Sequence, residues 1–148
     1  MTGLPTAGRI MALDIGSRTI GVAISDETRT IGQPLLTLER PSEGIRRPIG
    51  ALRRLVKEWA ITEIVVGLPL TLDGEMGAQA HRAEAFAETL RHRLGLPVAL
   101  QDERLTTYEA DEALREDGLT PQERKQHVDA VAASLILRRY LAARAGSC

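Results

Sequence analysis

Cysteine is almost missing from this chain of 148 residues: Cys148 is the only one. No internal disulfide can form, Cys-rich zinc sites are excluded, and Cys148 reads as an exposed tail thiol. Aromatic side chains are nearly as scarce, limited to Trp59, Phe86, Tyr108 and Tyr140. So few rings argue against a base-stacking platform of the kind that single-strand binders use. No apolar run approaches the roughly 18 residues that a membrane span requires. The opening MTGLPTAGRI has neither the basic end nor the long apolar centre of a secretory signal. A cytoplasmic protein without a membrane partner is therefore expected. The formal charge is only −1, so no overall excess of either sign announces a partner. There is no Walker-type Gly-Lys-Ser/Thr, and Gly16 to Gly21 lacks the spacing of a dinucleotide-binding loop. Internal repeats, low-complexity tracts and linkers are also absent. One domain over residues 1–148 is expected, with short flexible tails at about 1–8 and 145–148.

What is present fits a globular core, since 43 % of the residues are hydrophobic. Three strand-like segments come first, at 9–14, 19–25 and 30–38. The short links between them suit hairpins and an antiparallel meander. The period then changes. A helix is expected over 48–60, with Pro48 in its first turn, followed by a buried strand at 63–68, Glu-Ile-Val-Val-Gly-Leu. Pro69 and Asp73-Gly74 break that strand into a loop. A second helix is expected over 75–94 with Gly95 as its stop signal, then a strand at 97–101. Two capping boxes, Thr106-Thr107-Tyr108-Glu109 and Thr120-Pro121-Gln122-Glu123, mark two further helix starts, the second running to about Arg144. This order predicts an α/β protein: a mixed sheet with helices on its faces. In such sheets ligand chemistry gathers at strand ends.

Charge is clustered although its sum is small. Arg40, Arg46, Arg47, Arg53, Arg54 and Lys57 fall in one segment, and Glu109, Asp111, Glu112, Glu116 and Asp117 in another. These are either two solvated helix faces or, for the basic group, a patch that contacts phosphate.

Three acids occupy positions that need a reason. In IMALDIGSRTIGVAISD, Asp14 ends an apolar strand and Gly16 lets the backbone approach something closely. An isolated buried carboxylate costs several kcal/mol unless it is paired, hydrogen-bonded or metal-bound. The bland alternative is a turn-forming Asp that accepts backbone N–H bonds. Asp129 lies in His127-Val128-Asp129-Ala130-Val131-Ala132-Ala133-Ser134-Leu135-Ile136-Leu137, a helical stretch apolar almost all round and hence packed on several sides. Its bland alternative is an ion pair with an arginine. Glu103 ends the last strand, where an acid ahead of a helix start also complements the helix dipole. Asp102 is a rival for any role given to Glu103, and the flanking Leu100 and Leu105 do not decide between them. Should the three converge, carboxylates without His or Cys partners form a hard oxygen site suited to Mg²⁺ or Mn²⁺. Two such ions about 4 Å apart activate a water and stabilise the leaving oxygen of a phosphodiester.

The ordered motifs resemble a known family. They are Leu13-Asp14-Ile15-Gly16 with Arg18, Ile20-Gly21-Val22-Ala23 and Ser25-Asp26; Val66-Gly67-Leu68-Pro69-Leu70 with Asp73-Gly74; Asp102-Glu103-Arg104-Leu105-Thr106-Thr107; and Asp129-Ala130-Val131-Ala132-Ala133 with Leu135-Ile136-Leu137. Over residues 9–140 the chain resembles the YqgF/RuvX family of the ribonuclease H-like superfamily, whose members are described as Holliday junction resolvases or pre-16S rRNA nucleases. The resemblance implies a ribonuclease H-like fold: a five-stranded mixed sheet, with a three-strand antiparallel meander and then parallel strands, flanked by helices. It also implies that Asp14, Glu103 and Asp129 are the catalytic and metal-holding acids, which favours Glu103 over Asp102. Arg18 and Arg104 match basic positions that contact phosphate, Thr106 and Thr71 belong to the nucleic-acid-binding loops, and Gly16 and Gly67 support the backbone. Thr71 stands where the family often has Asn. Related resolvases carry a further acid one helical turn before the last Asp; Gln126 stands there, which implies a three-acid site, with His127 beside it.

The implied activity is metal-dependent hydrolysis of structured RNA or branched DNA, and cutting both strands of a junction favours a homodimer. Two rivals share features. Sugar kinases and actin-like ATPases also open on an Asp-x-Gly turn, but they need two large lobes and a second glycine-rich motif. A non-catalytic nucleic-acid-binding or ribosome-assembly module would keep the fold and tolerate loss of Asp14.

Overall fold

A computed structural model of the chain describes residues 8–16, 18–40, 46–70, 73–103 and 120–145, except for the side chains of 46–47, 121–127 and 144–145. The order is β1 (Arg9–Ile15), β2 (Thr19–Ser25), β3 (Gly32–Glu39), α1 (Arg46–Glu58), β4 (Ile61–Leu68), α2 (Ala78–Leu94), β5 (Val98–Asp102) and α3 (Pro121–Ala145). The five strands form one sheet in the order β3-β2-β1-β4-β5. β1–β2 and β2–β3 pair antiparallel, whereas β1–β4 and β4–β5 pair parallel. The meander is the one the short links predict, and the parallel strands beyond it are those the family resemblance implies.

Strand alternation divides the core into two halves. On β1, Met11 and Leu13 join Ile49 and Leu52 of α1 and Phe86 and Leu90 of α2 in one buried cluster. Ile10 and Ala12 face the other way, into a cluster with Ala133, Ile136 and Leu137 of α3. A central strand covered on both faces has no polar side to show, which explains the near-continuous apolar runs of β1, β2 and β4. α3 crosses the whole sheet and touches all five strands.

Some element boundaries differ from the expected ones for local reasons. β3 begins at Gly32 rather than Thr30, because Asp26 captures the preceding backbone. Its Oδ1 accepts the N–H groups of Thr30 and Ile31, each at 2.8 Å, while Oδ2 accepts the hydroxyls of Thr28 and Thr30. Asp side chains favour this kind of turn over continued pairing. α2 begins at Ala78, after Gly77, so residues 75–77 belong to the loop. Its stop is as expected: Gly95 adopts φ 67° and its N–H bonds the Arg91 carbonyl at 3.1 Å. The capping box at 106–109 and the acidic cluster at 109–117 lie outside the described residues.

Arg40 belongs neither to a solvated face nor to a phosphate patch. It is buried, with its guanidinium 5.5 Å from the Phe86 ring centroid. At the end of the sheet where β1 and β4 begin, Arg29 binds the Gly8 carbonyl, the Thr62 hydroxyl and the Glu63 carboxylate, the last at 3.0 Å. Tyr140 of α3 donates to the other oxygen of Glu63. The β2–β3 turn, β4 and the far part of α3 are thus clasped together. Among the described residues no helix is long and apolar enough to cross a membrane.

Candidate active site

Asp14 shares the parity of Ile10 and Ala12, so its side chain leaves β1 on the face that α3 covers. Its partner across the β1–β2 ladder is Gly21. On the other side the ladder pairs Leu13 with Val66, which makes Gly67 the next position along β4. Asp14 therefore lies between two glycines, and neither gap is idle. A Cβ on Gly21 would lie 1.9 Å from the carbonyl oxygen of Asp129 and 3.0 Å from the Ala130 nitrogen. A Cβ on Gly67 would lie 2.5 Å from Ile136 Cδ1 and 2.8 Å from Glu103 Oε2. One bare position seats the backbone of α3 at Asp129, and the other seats the carboxyl of Glu103. Thr19, at the start of β2, donates its hydroxyl to Asp129 Oδ2 at 2.7 Å. Among the described residues, that hydroxyl rather than an arginine is the partner of Asp129.

The same parity decides between the two acids at the end of β5. Val98 and Leu100 pack into the α1–α2 side, whereas Ala99 packs towards α3. Asp102 continues the first series and Glu103 the second. The ladder reaches Glu103, whose N–H donates to the Leu68 carbonyl at 3.2 Å. Glu103 is 7 % exposed although it is a carboxylic acid.

Burial drives the electrostatics. Loss of solvation raises Asp14 to about 6; its hydrogen bond with Glu103 opposes the rise and the charge of Asp129 adds to it. Glu103 is pushed up to about 9, first by burial, then by the Asp14 charge and the bond they share, with Arg139 of α3 opposing. Both acids are held above the ordinary carboxylate range, so near neutral pH the pair shares a proton. Two acids that cannot both ionise in each other's company form a place where a cation replaces a proton. The donor set fits such an ion: carboxylate oxygens only, which suits a hard divalent cation. Asp14 and Glu103 are in direct contact and Asp129 is within electrostatic range. Among the described residues no three His, Cys, Asp or Glu side chains form a ready-made metal cage.

Arg18 is exposed on the β1–β2 turn, three residues beyond the end of the strand. Gly16 closes that turn, its N–H donating to the Thr19 carbonyl at 2.8 Å. Arg40 braces it: its side chain donates to the Gly16 carbonyl at 2.6 Å and its backbone N–H to the Arg18 carbonyl at 2.8 Å. Thr71, Arg104 and Thr106 lie outside the described residues, as do the side chains of Gln126 and His127. Sequence reasoning missed Thr19, Arg40 and Arg139 as members of this region. It also passed over Gly21 as a site residue, although a glycine two residues into a β-branched strand is a sign of close backbone approach.

The family model described as "RuvX: Holliday junction resolvase" matches residues 8–143. The chain belongs to the RuvX family. A relative from Lachnospira eligens, named "Putative pre-16S rRNA nuclease", is 45% identical over 134 residues, covering 90% of this chain and 96% of the relative. One of the same name from Chloroflexus aurantiacus is 49% identical over 136 residues, covering 91% and 87%. Among solved structures, Thermus thermophilus RuvC in complex with a Holliday junction substrate matches with a TM-score of 0.58 at 16% identity, over 94% of this chain and 97% of that one. At that identity the likeness concerns the fold, which is ribonuclease H-like as the motifs implied. In this RuvX chain, Asp14 and Glu103 lie at the ends of β1 and β5, the part of an α/β sheet where ligands gather, and Asp129 lies on α3.

Proposed function

We propose that this RuvX chain is a single-domain, divalent-metal-dependent nuclease that hydrolyses phosphodiester bonds within structured nucleic acid. Asp14, Glu103 and Asp129 are its metal-holding and catalytic acids, and Mg²⁺ or Mn²⁺ is its cation. The observation that carries this reading is the pair of half-buried Asp14 and buried Glu103, hydrogen-bonded to each other, with the charge of Asp129 felt at Asp14. A cation bound there supplies the charge that activates a water and stabilises the leaving oxygen. The residues do the rest. Asp14 and Glu103 would release their shared proton on holding the ion. β1 and β5 hold Asp14 and Glu103 on rigid strand ends, and α3 brings Asp129 to them. Arg18, exposed beyond Asp14, meets the phosphate backbone, and Arg104, Thr106 and Thr71 extend that contact.

Backbone contacts of this kind position a substrate without reading its sequence. The names of the relatives favour precursor 16S rRNA, for which we infer processing at the 5′ end, and the family description favours Holliday junctions. A homodimer fits the second, because two strands need two cuts. Side-by-side cleavage of both substrates with Mn²⁺ by the purified protein tests the proposal. Asp14→Asn is expected to lower cleavage at least about 100-fold while leaving binding in place. A wild-type protein that binds both substrates and cuts neither is a binding module instead. Normal cutting by Asp14→Asn would overturn the site assignment.

A further inference from the structure

Thr19 does more than decorate the site, because it occupies one particular oxygen. Its hydroxyl donates to Oδ2 of Asp129 at 2.7 Å across 110 residues of chain. Neither end of that bond is free to slide. The Thr19 backbone is fixed by its carbonyl, which accepts the Gly16 N–H at 2.8 Å. The Asp129 backbone is fixed because Gly21 lets α3 sit against β2 with no space to spare. Oδ2 of Asp129 is therefore engaged by Thr19, which leaves Oδ1 as the oxygen without a hydrogen bond to that hydroxyl.

From this geometry we propose that Thr19 is a positioning residue that sets the metal selectivity of the site, confining Asp129 to ligation through one oxygen. The proposal rests on the metal-dependent reading above. Mg²⁺ demands near-ideal six-coordination and takes carboxylates one oxygen at a time, whereas Ca²⁺ accepts both oxygens of a carboxylate and six to eight ligands in all. A hydroxyl that holds one oxygen of Asp129 withholds the second from the larger ion. Outer partners of this type change metal affinity by about 10- to 100-fold when removed. Without the hydroxyl, Asp129 can turn both oxygens inward and the site accepts Ca²⁺ more readily.

The test uses the full chain without nucleic acid. Mn²⁺ binding is followed by the loss of its free-ion electron paramagnetic resonance signal, and bound Mn²⁺ is then displaced with Mg²⁺ or with Ca²⁺. Thr19→Val keeps the shape and removes the hydroxyl; Thr19→Ser keeps the hydroxyl; Thr19→Ala gives a second removal should the valine variant melt early. The ratio of Mg²⁺ to Ca²⁺ displacement constants is expected to move towards Ca²⁺ by about tenfold in Thr19→Val and Thr19→Ala, and to stay within about twofold of wild type in Thr19→Ser. An unchanged ratio in folded Thr19→Val or Thr19→Ala, or an equal shift in Thr19→Ser, overturns the assignment. Asp14→Asn and Asp129→Asn separate the two levels. If both lose Mn²⁺ while the ratio ignores Thr19, the selectivity role falls and the site stands. If both bind Mn²⁺ like wild type, the site reading falls and takes this one with it.

Discussion

Gly21→Ala adds one methyl group to the middle of the candidate site. The new Cβ would lie 1.9 Å from the Asp129 carbonyl oxygen and 2.3 Å from its carbon, both backbone atoms of a helix. No rotamer change relieves such a clash. To restore an ordinary separation near 3.4 Å, α3 must retreat by about 1.5 Å at this point, or β2 must sink by as much. Over-packing of this kind costs about 1–3 kcal/mol. The functional loss is expected to exceed that, because the retreat stretches the Thr19–Asp129 hydrogen bond and carries Asp129 away from Asp14. A displacement near 1 Å at a reacting centre lowers the rate by about 100-fold. Gly50→Ala supplies the control. Gly50 is exposed within α1, and a Cβ there meets nothing within 4 Å, so the change should stabilise by about 0.5–1 kcal/mol and leave cleavage alone. Urea unfolding gives the stability terms and single-turnover cleavage gives the rates. A Gly21→Ala protein with wild-type stability and rate would refute the close docking of α3 on β2.

The acid pair makes the metal-free protein sensitive to alkali. Both folded values, about 6 and about 9, stand above ordinary carboxylate values, so folding takes up protons between roughly pH 4 and 9. The contribution to stability is therefore complete at the acid end of that window and is lost as pH rises, with a slope of up to about 1.4 kcal/mol per pH unit for each proton taken up. Glu103→Gln should flatten this part of the profile, and a metal-free wild type whose chemical-denaturation profile matches that of Glu103→Gln would contradict the shared proton. At the other end of the molecule, Asp26→Ala removes the acceptor of two backbone N–H groups and should lower stability by about 1–2 kcal/mol. Asp26 is held well below the usual carboxylate range by its hydrogen bonds with Thr28, Ile31 and Thr30. Its contribution is therefore present at neutral pH and lost in acid, opposite in sense to that of Asp14 and Glu103. An Asp26→Ala protein as acid-resistant as wild type at equal neutral stability would tell against that turn.

Much of the architecture was legible because local rules and tertiary packing agree. Short links force hairpins, and β-branched runs buried on two faces become β1, β2 and β4. The misses have a common physical cause. The start of β3 depended on whether Asp26 would bond the backbone four and five residues on, and only the folded turn decides that. Periodicity did not separate Asp102 from Glu103, because Leu100 and Leu105 flank them symmetrically, and only the family resemblance favoured Glu103. Which of them faces α3 follows from the sheet face that helix covers, a fact set by residues far along the chain. Arg40 looked like one cation of a basic cluster, yet Phe86 and the Gly16 carbonyl give it a buried place. Thr19 meets Asp129 across 110 residues, and no local pattern encodes such a pair.

The clasp of Arg29, Glu63 and Tyr140 at one end and the seat at Gly21 at the other both depend on α3, which follows every strand in the chain. Synthesis runs in the same direction. A chain stopped short of α3 would carry Asp14 and Glu103 without Asp129, and it would leave Ile10, Ala12, Ala23 and Val65 without the Ala133, Ile136 and Leu137 that bury them. Exposed apolar surface of that kind is what invites association between incomplete chains.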